Sequence, residues 1–338
     1  MEDKFILGIE SSCDETAASV INNCVALSNI IADQRLIHRY YGGVVPELAS
    51  RAHQQKIIPV VEEALLRANI TKNDLKAIAF TRGPGLMGAL LVGTSFAKAL
   101  AYGLSIPLLE VNHMQGHVLA HFIRKPGESK EVPGFPFLCL TVSGGHTQIV
   151  RVDDYLEMEV IGQTRDDAAG EAFDKAAKIL GLPYPGGPLV DKHAARGNRQ
   201  RFSFPIPHLE GLDFSFSGLK TAVLRHVKNA GEPLSPTETA DMCASFQRVV
   251  VTTLVERTFT AARRYQAASV GVSGGVSANS RLRSDLKAYG NSREIPTFVP
   301  SLKLSTDNAA MIAAAGLRKL KAGITSPLDI NADAALPL

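Results

Sequence analysis

The sequence predicts an α/β protein built from two related domains that face a cleft. Short apolar, strand-like runs alternate with helical patterns along the chain, which favours this fold class. The chain has 338 residues, of which 45% are hydrophobic, enough for two domains with separate cores. Two segments, FILGIESSCDETAASVI from Phe5 and FLCLTVSGGHTQIVRV from Phe137, share a plan of buried strand, polar turn and second strand. This repeat predicts a duplicated unit.

The first half opens with two strands and a long helix. Asn22 and Asn23 end the second strand, and apolar residues between 57 and 65 recur at helical spacing, so a helix reaches about Asn69. A glycine turn at 83–88 joins a strand to a helix of small residues. The predicted strands of this half are Phe5–Glu10, Thr16–Ile21, Ala77–Thr81 and Ile106–Val111.

A charged stretch rich in proline and glycine, 124–136, is typical of a linker. We therefore expect an N-terminal domain at 1–133 and a C-terminal domain at 134–305. A last helix, about 306–325, is expected to pack back near the first domain. The other elements predicted after the linker are strands at Phe137–Val142, Thr147–Val152 and Ser269–Ser273, and helices at Asp167–Leu180, Pro236–Tyr265 and Ser280–Ala288.

Composition excludes several classes of protein. No apolar run reaches the roughly 18–20 residues of a membrane span, and the acidic start runs directly into a strand, unlike a signal peptide. The four cysteines show no CxxC spacing, which indicates free thiols in a reducing compartment. We expect a cytoplasmic protein without a membrane partner. The net charge of +3 permits nucleic-acid binding but does not argue for it.

The turn GPGLMG, Gly83–Gly88, fits the G-x-G-x-x-G pattern between a strand and a helix, and Glu110 follows near the end of the next strand. This is compatible with a dinucleotide site, but the proline at the second position stiffens the loop and removes an N–H donor, which favours a tight packing turn. Three further glycine turns, TVSGGHTQ, YPGGP and GVSGGVSAN, could expose backbone N–H groups to phosphate. With Asp14 and Asp174 near turns or helices, they favour a nucleotide cleft.

Three histidines, His113, His117 and His121, stand four residues apart and would share one helix face. Converging imidazoles can bind a metal, although histidines also cap helices or face solvent. A zinc peptidase of the HExxH type needs glutamate directly after the first histidine. Met114 stands there, and the amide of Gln115 cannot act as a base.

Asp307, in STDNAAMIAAAG, has two interpretations. Ser305 or Thr306 could cap the last helix, with Asp307 in its first turn. Alternatively, Asp307 completes a site of two histidines and one carboxylate, which suits iron or zinc. Spacing alone cannot bring it to His113.

As a set, the motifs GIESSCDETAASV, YGGVVPELASRAH, GPGLMGALLVG, NHMQGH, VSGGHTQ, DDAAGEAFDKAAKILGLPYPGGP, LDFSFSGLKTAV, GGVSAN and TDNAAMIA resemble the bacterial tRNA N6-adenosine threonylcarbamoyltransferases, formerly called O-sialoglycoprotein endopeptidases. The resemblance covers about residues 4–325. It implies the actin-like ATPase (ASKHA) fold, with two duplicated α/β domains around a nucleotide cleft. GPGLMG is then a structural turn.

The resemblance also implies the activity and the site. The enzyme would transfer the threonylcarbamoyl group from threonylcarbamoyl-AMP to N6 of adenosine 37 in tRNAs that read ANN codons, forming N6-threonylcarbamoyladenosine (t6A). The metal ligands would be His113, His117 and Asp307, with one Fe²⁺ per subunit, or zinc or another divalent metal. Asp14 and Asp307 are the candidate catalytic residues, and His121 is structural. The substrate-binding residues would be Thr141, Val142, Ser143, Gly144, Gly145, Asp174, Gly187, Asp191 and Asn279.

Relatives of this kind act with a paralogous partner subunit of the TsaB type and a small ATPase of the TsaE type, so both are expected partners beside tRNA. Two features depart from the family pattern. Gln115 stands where many members have glutamate, and the tail PLDINADAALPL lacks the arginine-rich ending of some relatives. The alternative functions are a metallopeptidase and a non-catalytic ATP-binding scaffold.

Overall fold

The computed structural model describes residues 4–206, 209–230 and 234–338. Within these ranges it has eleven strands and ten α-helices. The strands are β1 (Phe5–Glu10), β2 (Glu15–Asn22), β3 (Val25–Ala26), β4 (Ile30–Asp33), β5 (Leu75–Gly83), β6 (Leu108–Asn112), β7 (Phe137–Val142), β8 (Thr147–Asp154), β9 (Glu157–Gln163), β10 (Ser269–Ser273) and β11 (Thr297–Phe298). The helices are α1 (Arg35–His38), α2 (Pro46–Ala68), α3 (Met87–Leu104), α4 (His113–Leu119), α5 (Ala169–Ile179), α6 (Gly186–Ala194), α7 (Ser217–Ala230), α8 (Pro236–Arg264), α9 (Ser280–Asn291) and α10 (Ala309–Lys321).

Contacts within the chain group it into two compact units. The first unit comprises the chain up to Val132 together with Asp154–Met158 and Ser301–Leu338. The second unit comprises Pro133–Asp153 and Glu159–Pro300. The last helix, α10, thus belongs to the same unit as β1, although about 300 residues separate them along the chain.

The first unit is built on a mixed sheet with the order β3-β2-β1-β5-β6, and β4 pairs with β2. Strand β1 is antiparallel to β2 and parallel to β5, which is parallel to β6. Leu7 and Ile9 of β1 belong to a core cluster shared with α2 and α3. The intervening Gly8 lies against Ala309 and Ala313 of α10. Because side chains alternate along a strand, α10 covers the face opposite to α2 and α3.

The second unit repeats the same plan. Its sheet has the order β11-β10-β7-β8-β9, in which β7 is antiparallel to β8 and parallel to β10. Leu138 and Leu140 of β7 share a core cluster with Phe173 of α5 and Phe246 of α8. In each unit a strand therefore pairs with its hairpin partner on one side and with a later parallel strand on the other.

Helix α3 is an exception to the expectation that no apolar segment of the chain is long enough to span a membrane. It has 18 residues and is apolar enough, by length and composition alone, to cross a membrane. It packs against α2 and β5, and Leu90, Ala97 and Ala101 are buried there. Core helices of soluble proteins have the same length and composition, so α3 is weak evidence for a membrane.

Seven of the described elements had no sequence prediction: β3, β4, β9, β11, α1, α6 and α7. β3, β11 and α1 span only two to four residues, too few for a periodic pattern. β4 and β9 alternate between partly buried and exposed residues, so they lack the apolar run of a central strand. Helix α6 begins with Gly-Gly-Pro, which is typical of a turn. Helix α7 has Leu219, Val223 and Val227 buried at four-residue spacing, a helical signal that sequence reasoning missed. The four cysteines are free, as predicted.

Candidate functional site

The first cluster of candidate residues begins at the end of β6. Helix α4 follows the strand directly, and Asn112 caps it by accepting hydrogen bonds from the backbone N–H groups of Met114 (2.8 Å) and Gln115 (3.3 Å). A capping side chain satisfies backbone donors that a helix otherwise leaves unpaired. His113 and His117 lie one turn apart on this helix, and both are buried.

Asp307 reaches these histidines because α10 packs closely on α4. The backbone of α4 at Gly116 approaches α10 so closely that an added Cβ would lie 3.0 Å from Ile312 Cδ1. The expectation that Asp307 lies in the first turn of the helix is wrong. The cap is Asn308, which accepts a hydrogen bond from the N–H of Met311 (3.1 Å), and the helix begins at Ala309. Asp307 precedes the cap, and its carboxylate faces α4.

The donor atoms of His113, His117 and Asp307 converge on one point. They lie within 4.8 Å of one another, with Asp307 Oδ1 at 3.1 Å from His117 Nε2 and 3.4 Å from His113 Nε2. Ligands at about 2.1 Å from a tetrahedral or octahedral ion lie roughly 3.0–3.4 Å apart. The three side chains therefore fit a divalent metal.

A buried carboxylate lies behind His113. Glu10, at the end of β1, is fully buried, and its Oε2 is 3.0 Å from His113 Nδ1. Burial opposes protonation of His113, but the charges of Asp307 and Glu10 outweigh it and raise the pKa of His113 well above its usual range. Burial likewise opposes ionisation of Asp307, yet the charge of His113 and hydrogen bonds from both histidines lower the pKa of Asp307.

His121 does not join this cluster. Helix α4 ends at Leu119, and His121 lies in a short 3₁₀ turn, Ala120–Phe122, where it is buried. The change of helix type ends the stripe of three histidines that the spacing suggested.

Asp14 lies in an acidic neighbourhood of the first unit. It follows β1 in the turn to β2, and its carbonyl accepts the N–H of Gln34 (3.1 Å). Burial and the negative charges of Asp307 and Asp14 raise the pKa of the adjacent Glu15 well above its usual value. Sequence reasoning missed both Glu10 and Glu15. A charged residue that ends the otherwise apolar run FILGIE was the available signal for Glu10.

The second cluster lines a cavity of about 330 Å³ in the second unit. Five of the predicted substrate-binding residues contribute to it: Gly144, Asp174, Gly187, Asp191 and Asn279. They come from the turn after β7, from α5, from α6 and from the segment before α9. Sequence reasoning did not include Gly170, Phe173 and Gly275, which also line it, although Gly275 lies in a glycine turn that the sequence had singled out.

Hydrogen bonds hold the polar groups of this cavity in place. Asp174 Oδ1 accepts the backbone N–H groups of Gly186 (2.8 Å) and Gly187 (3.1 Å), while burial raises the pKa of Asp174. Asp191 accepts hydrogen bonds from the Ser280 hydroxyl (2.8 Å). Asn279 caps α9 through the N–H of Leu282 (3.0 Å). The cavity therefore presents fixed carboxylates and glycine backbone.

The remaining predicted residues do not line the cavity. Thr141 and Val142 are buried in β7. Ser143 accepts the N–H of His146 through its hydroxyl (3.1 Å) and so closes the turn, and Gly145 is an exposed residue of the same turn.

The GPGLMG turn connects β5 to α3 through close backbone packing. An added Cβ on Gly85 would lie 2.6 Å from the carbonyl oxygen of Ser12, and that carbonyl accepts the N–H of Leu86 (2.8 Å). The N–H of Gly85 donates to the carbonyl of Ala334 (3.2 Å). These backbone groups are used within the protein, which agrees with a structural turn.

Comparison with known proteins identifies the family to which the chain belongs. The family model described as tRNA N6-adenosine threonylcarbamoyltransferase matches residues 25–314. Proteins of that name from Christiangramia forsetii and Porphyromonas gingivalis are 58% and 54% identical to the chain, over 93% and 97% of its length and over 92% and 97% of theirs.

Solved structures of HypF show the same fold. HypF from T. kodakarensis matches with a TM-score of 0.63 and 15% identity, over 95% of this chain and 48% of that one. A phosphate- and nucleotide-bound HypF gives a TM-score of 0.60 at 12% identity, over 94% and 46%. The chain thus spans about half the length of these proteins. It has the actin-like ATPase fold, as predicted, and it belongs to the tRNA N6-adenosine threonylcarbamoyltransferase family.

Proposed function

We propose that this chain is the transferase that forms t6A, moving the threonylcarbamoyl group from threonylcarbamoyl-AMP to N6 of adenosine 37 in tRNAs that read ANN codons. The observation that supports this proposal most strongly is the 58% sequence identity to a curated tRNA N6-adenosine threonylcarbamoyltransferase. The match covers 93% of this chain and 92% of that protein. In the reaction, the N6 amine attacks the carbonyl carbon, the bond from that carbon to the phosphate oxygen breaks, AMP leaves and N6 loses a proton.

We propose that His113, His117 and Asp307 hold one Fe²⁺ per subunit, with zinc or another divalent ion as the alternative. The proposal is supported by their convergence within 4.8 Å and by a donor set that suits these metals. A bound ion of this kind would supply positive charge for the oxygens of the donor's carbonyl and phosphate. The residues themselves fix its position, because both histidines are buried and Asn112 caps their helix.

The cavity of the second unit is proposed to hold the adenine nucleotide portion of the donor. Its volume of about 330 Å³ falls within the usual range of ligand pockets, roughly 300–1,000 Å³. Asp174 and Asp191 would accept hydrogen bonds from ribose hydroxyls, while Gly144, Gly187 and Asn279 would lie against the nucleotide. Thr141, Val142, Ser143 and Gly145 would support this surface by fixing β7 and its turn.

The N6 amine of adenine is a weak nucleophile because its lone pair is delocalised into the ring. Rate acceleration therefore depends on orienting the amine toward the donor's carbonyl carbon and on stabilising the charge that develops on the carbonyl and phosphate oxygens. We propose that Asp14 orients the reacting groups or accepts the proton, and that Asp307 acts as a metal ligand. Proximity of Asp14 to the cluster is supported by the effect of both Asp14 and Asp307 on the pKa of Glu15. The paralogous partner subunit, the small ATPase and tRNA are the proposed partners, in the cytoplasm and away from membranes.

The test is a transfer assay with threonylcarbamoyl-AMP, unmodified tRNA and the partner proteins, read by nucleoside analysis. We expect Asp307→Asn to lose product and bound metal together, whereas Asp329→Asn, an exposed carboxylate of the same unit, keeps both. Full product from a metal-free His113→Ala/His117→Ala chain would refute the metal proposal. Glycoprotein cleavage that depends on His113 would indicate a metallopeptidase instead, and nucleotide binding without modified tRNA would indicate a scaffold.

A further inference from the structure

Glu10 is a buried carboxylate that touches the candidate metal site without belonging to it. It ends β1, its residue is 0% exposed, and its Oε2 faces the Nδ1 atom of His113 at 3.0 Å. We propose that Glu10 is a positioning residue that keeps the proton of His113 on Nδ1 and so turns the Nε2 lone pair toward the metal. The inference rests on the metal binding proposed above.

The hydrogen bonds of Glu10 leave it only one role, that of an acceptor. Oε1 accepts the backbone N–H of Ser12 (2.5 Å), and Oε2 accepts the hydroxyl of Thr81 (2.6 Å). An ionised carboxylate has no donor, so the remaining contact of Oε2, with His113 Nδ1, needs a proton on the histidine. A neutral imidazole protonated at Nδ1 has its lone pair at Nε2.

The hydroxyl of Ser12 competes for the same nitrogen. Ser12 Oγ lies 3.2 Å from His113 Nδ1, and a hydroxyl can either donate or accept. If Ser12 donated, the proton of His113 would move to Nε2 and point at the metal position. A hydrogen bond to a charged acceptor is about twice as strong as a neutral one, so Glu10 decides the tautomer.

The two carboxylates hold opposite edges of the same ring. Glu10 faces Nδ1, while Asp307 Oδ1 lies 3.4 Å from Nε2. Orientation by Glu10 therefore directs Nε2 to the point that Asp307 and His117 share. Pairs of a carboxylate and a metal-binding histidine act in this way at known metal sites, and their loss costs about 10–100-fold in metal affinity.

The first test compares Glu10→Gln with Thr81→Val by titrating Zn²⁺ against a competing chelator. Ser12 N–H donates to Oε1, whereas His113 Nδ1 faces Oε2. A glutamine amide has an oxygen at only one of these two positions and an NH2 donor at the other, so it cannot accept from both. Thr81→Val removes a donor to the same Oε2 atom but leaves the carboxylate intact, which makes it the matched control. We expect affinity to fall about 10–100-fold in Glu10→Gln and to stay within about threefold in Thr81→Val. Equal affinity in Glu10→Gln and the unaltered chain would overturn the role of Glu10.

The second test needs no variant at Glu10 and so does not depend on its folding. In the Zn²⁺-loaded chain labelled with ¹⁵N-histidine, the ring spectrum of His113 should show a proton on Nδ1 and metal at Nε2. A proton on Nε2 would overturn the inference even if metal binds. If the unaltered chain binds Zn²⁺ no better than His117→Ala, the metal proposal itself fails, which is a different result from failure at Glu10 alone.

Discussion

Metal affinity should depend on pH in a way that the charges around His113 determine. Asp307 and Glu10 raise the pKa of His113 well above its usual range despite its burial. A metal ligand must be a neutral imidazole, so metal binding must displace a proton wherever the pH lies below this raised pKa. One displaced proton makes affinity rise about tenfold per pH unit, and the rise ends where the pH passes the raised pKa.

The assay is Zn²⁺ titration between pH 6 and pH 8, with calorimetry in two buffers of different ionisation enthalpy to count protons. We expect protons to be released on binding and the affinity to be higher at pH 8 than at pH 6. Replacing His113 with asparagine should remove this slope along with most of the affinity. A flat profile with no proton release would refute the reasoning that His113 is protonated before metal binds.

The metal-free chain should show the opposite dependence. A histidine with a raised folded pKa stabilises the fold below its unfolded pKa of about 6.5, and this stabilisation is lost as pH rises through the folded pKa. In excess chelator, the free energy of unfolding from urea titrations should therefore fall as the pH rises above about 6.5, by at most about 1.4 kcal/mol per pH unit from this group. Unfolding of His113→Asn, measured in parallel, should lack this contribution.

Three further predictions concern other parts of the structure. Gly85→Ala places a Cβ 2.6 Å from the Ser12 carbonyl oxygen and should cost about 1–3 kcal/mol in urea unfolding, whereas Gly43→Ala, with open space around it, should cost less than 1 kcal/mol on the same scale; equal costs would contradict the packing interpretation. Asn112→Ala removes the cap of α4 and should lower stability by about 1 kcal/mol while weakening Zn²⁺ binding, and unchanged values for both would show that the cap does not support the site. Asp174→Asn should weaken AMP binding in calorimetry about tenfold, as for loss of a charged hydrogen bond, with Zn²⁺ affinity unchanged; an unchanged AMP affinity would exclude Asp174 from the nucleotide site.

The sequence predicted the central elements because their signal is local. β1, β7 and β10 were placed with the bounds that the structure has, since each is a short apolar run ended by a polar turn. Helix α8 was placed to within one residue, and Ser235 caps it in a capping box with Glu238. Edge strand β9 and helix α6 were missed, because half-exposed strands lack the apolar run and Gly-Gly-Pro favours a turn over a helix. Packing against neighbouring elements stabilises these segments, although their own sequences do not favour a strand or a helix. Helix α6, for example, packs on α5 and α8.

For the candidate site, the sequence by itself determined the chemistry of the parts. The four-residue spacing placed His113 and His117 on one helix face, and Met114 excluded the base of a zinc peptidase. Only the tertiary structure brought Asp307 to within 3.1 Å of His117, ended the histidine stripe before His121, and set Glu10 behind His113. These contacts join residues separated by about 100 to 190 positions. They depend on the sheet that carries β1 beside β5 and on the small residues that let α10 lie close to α4, and helical periodicity does not encode distances of that kind.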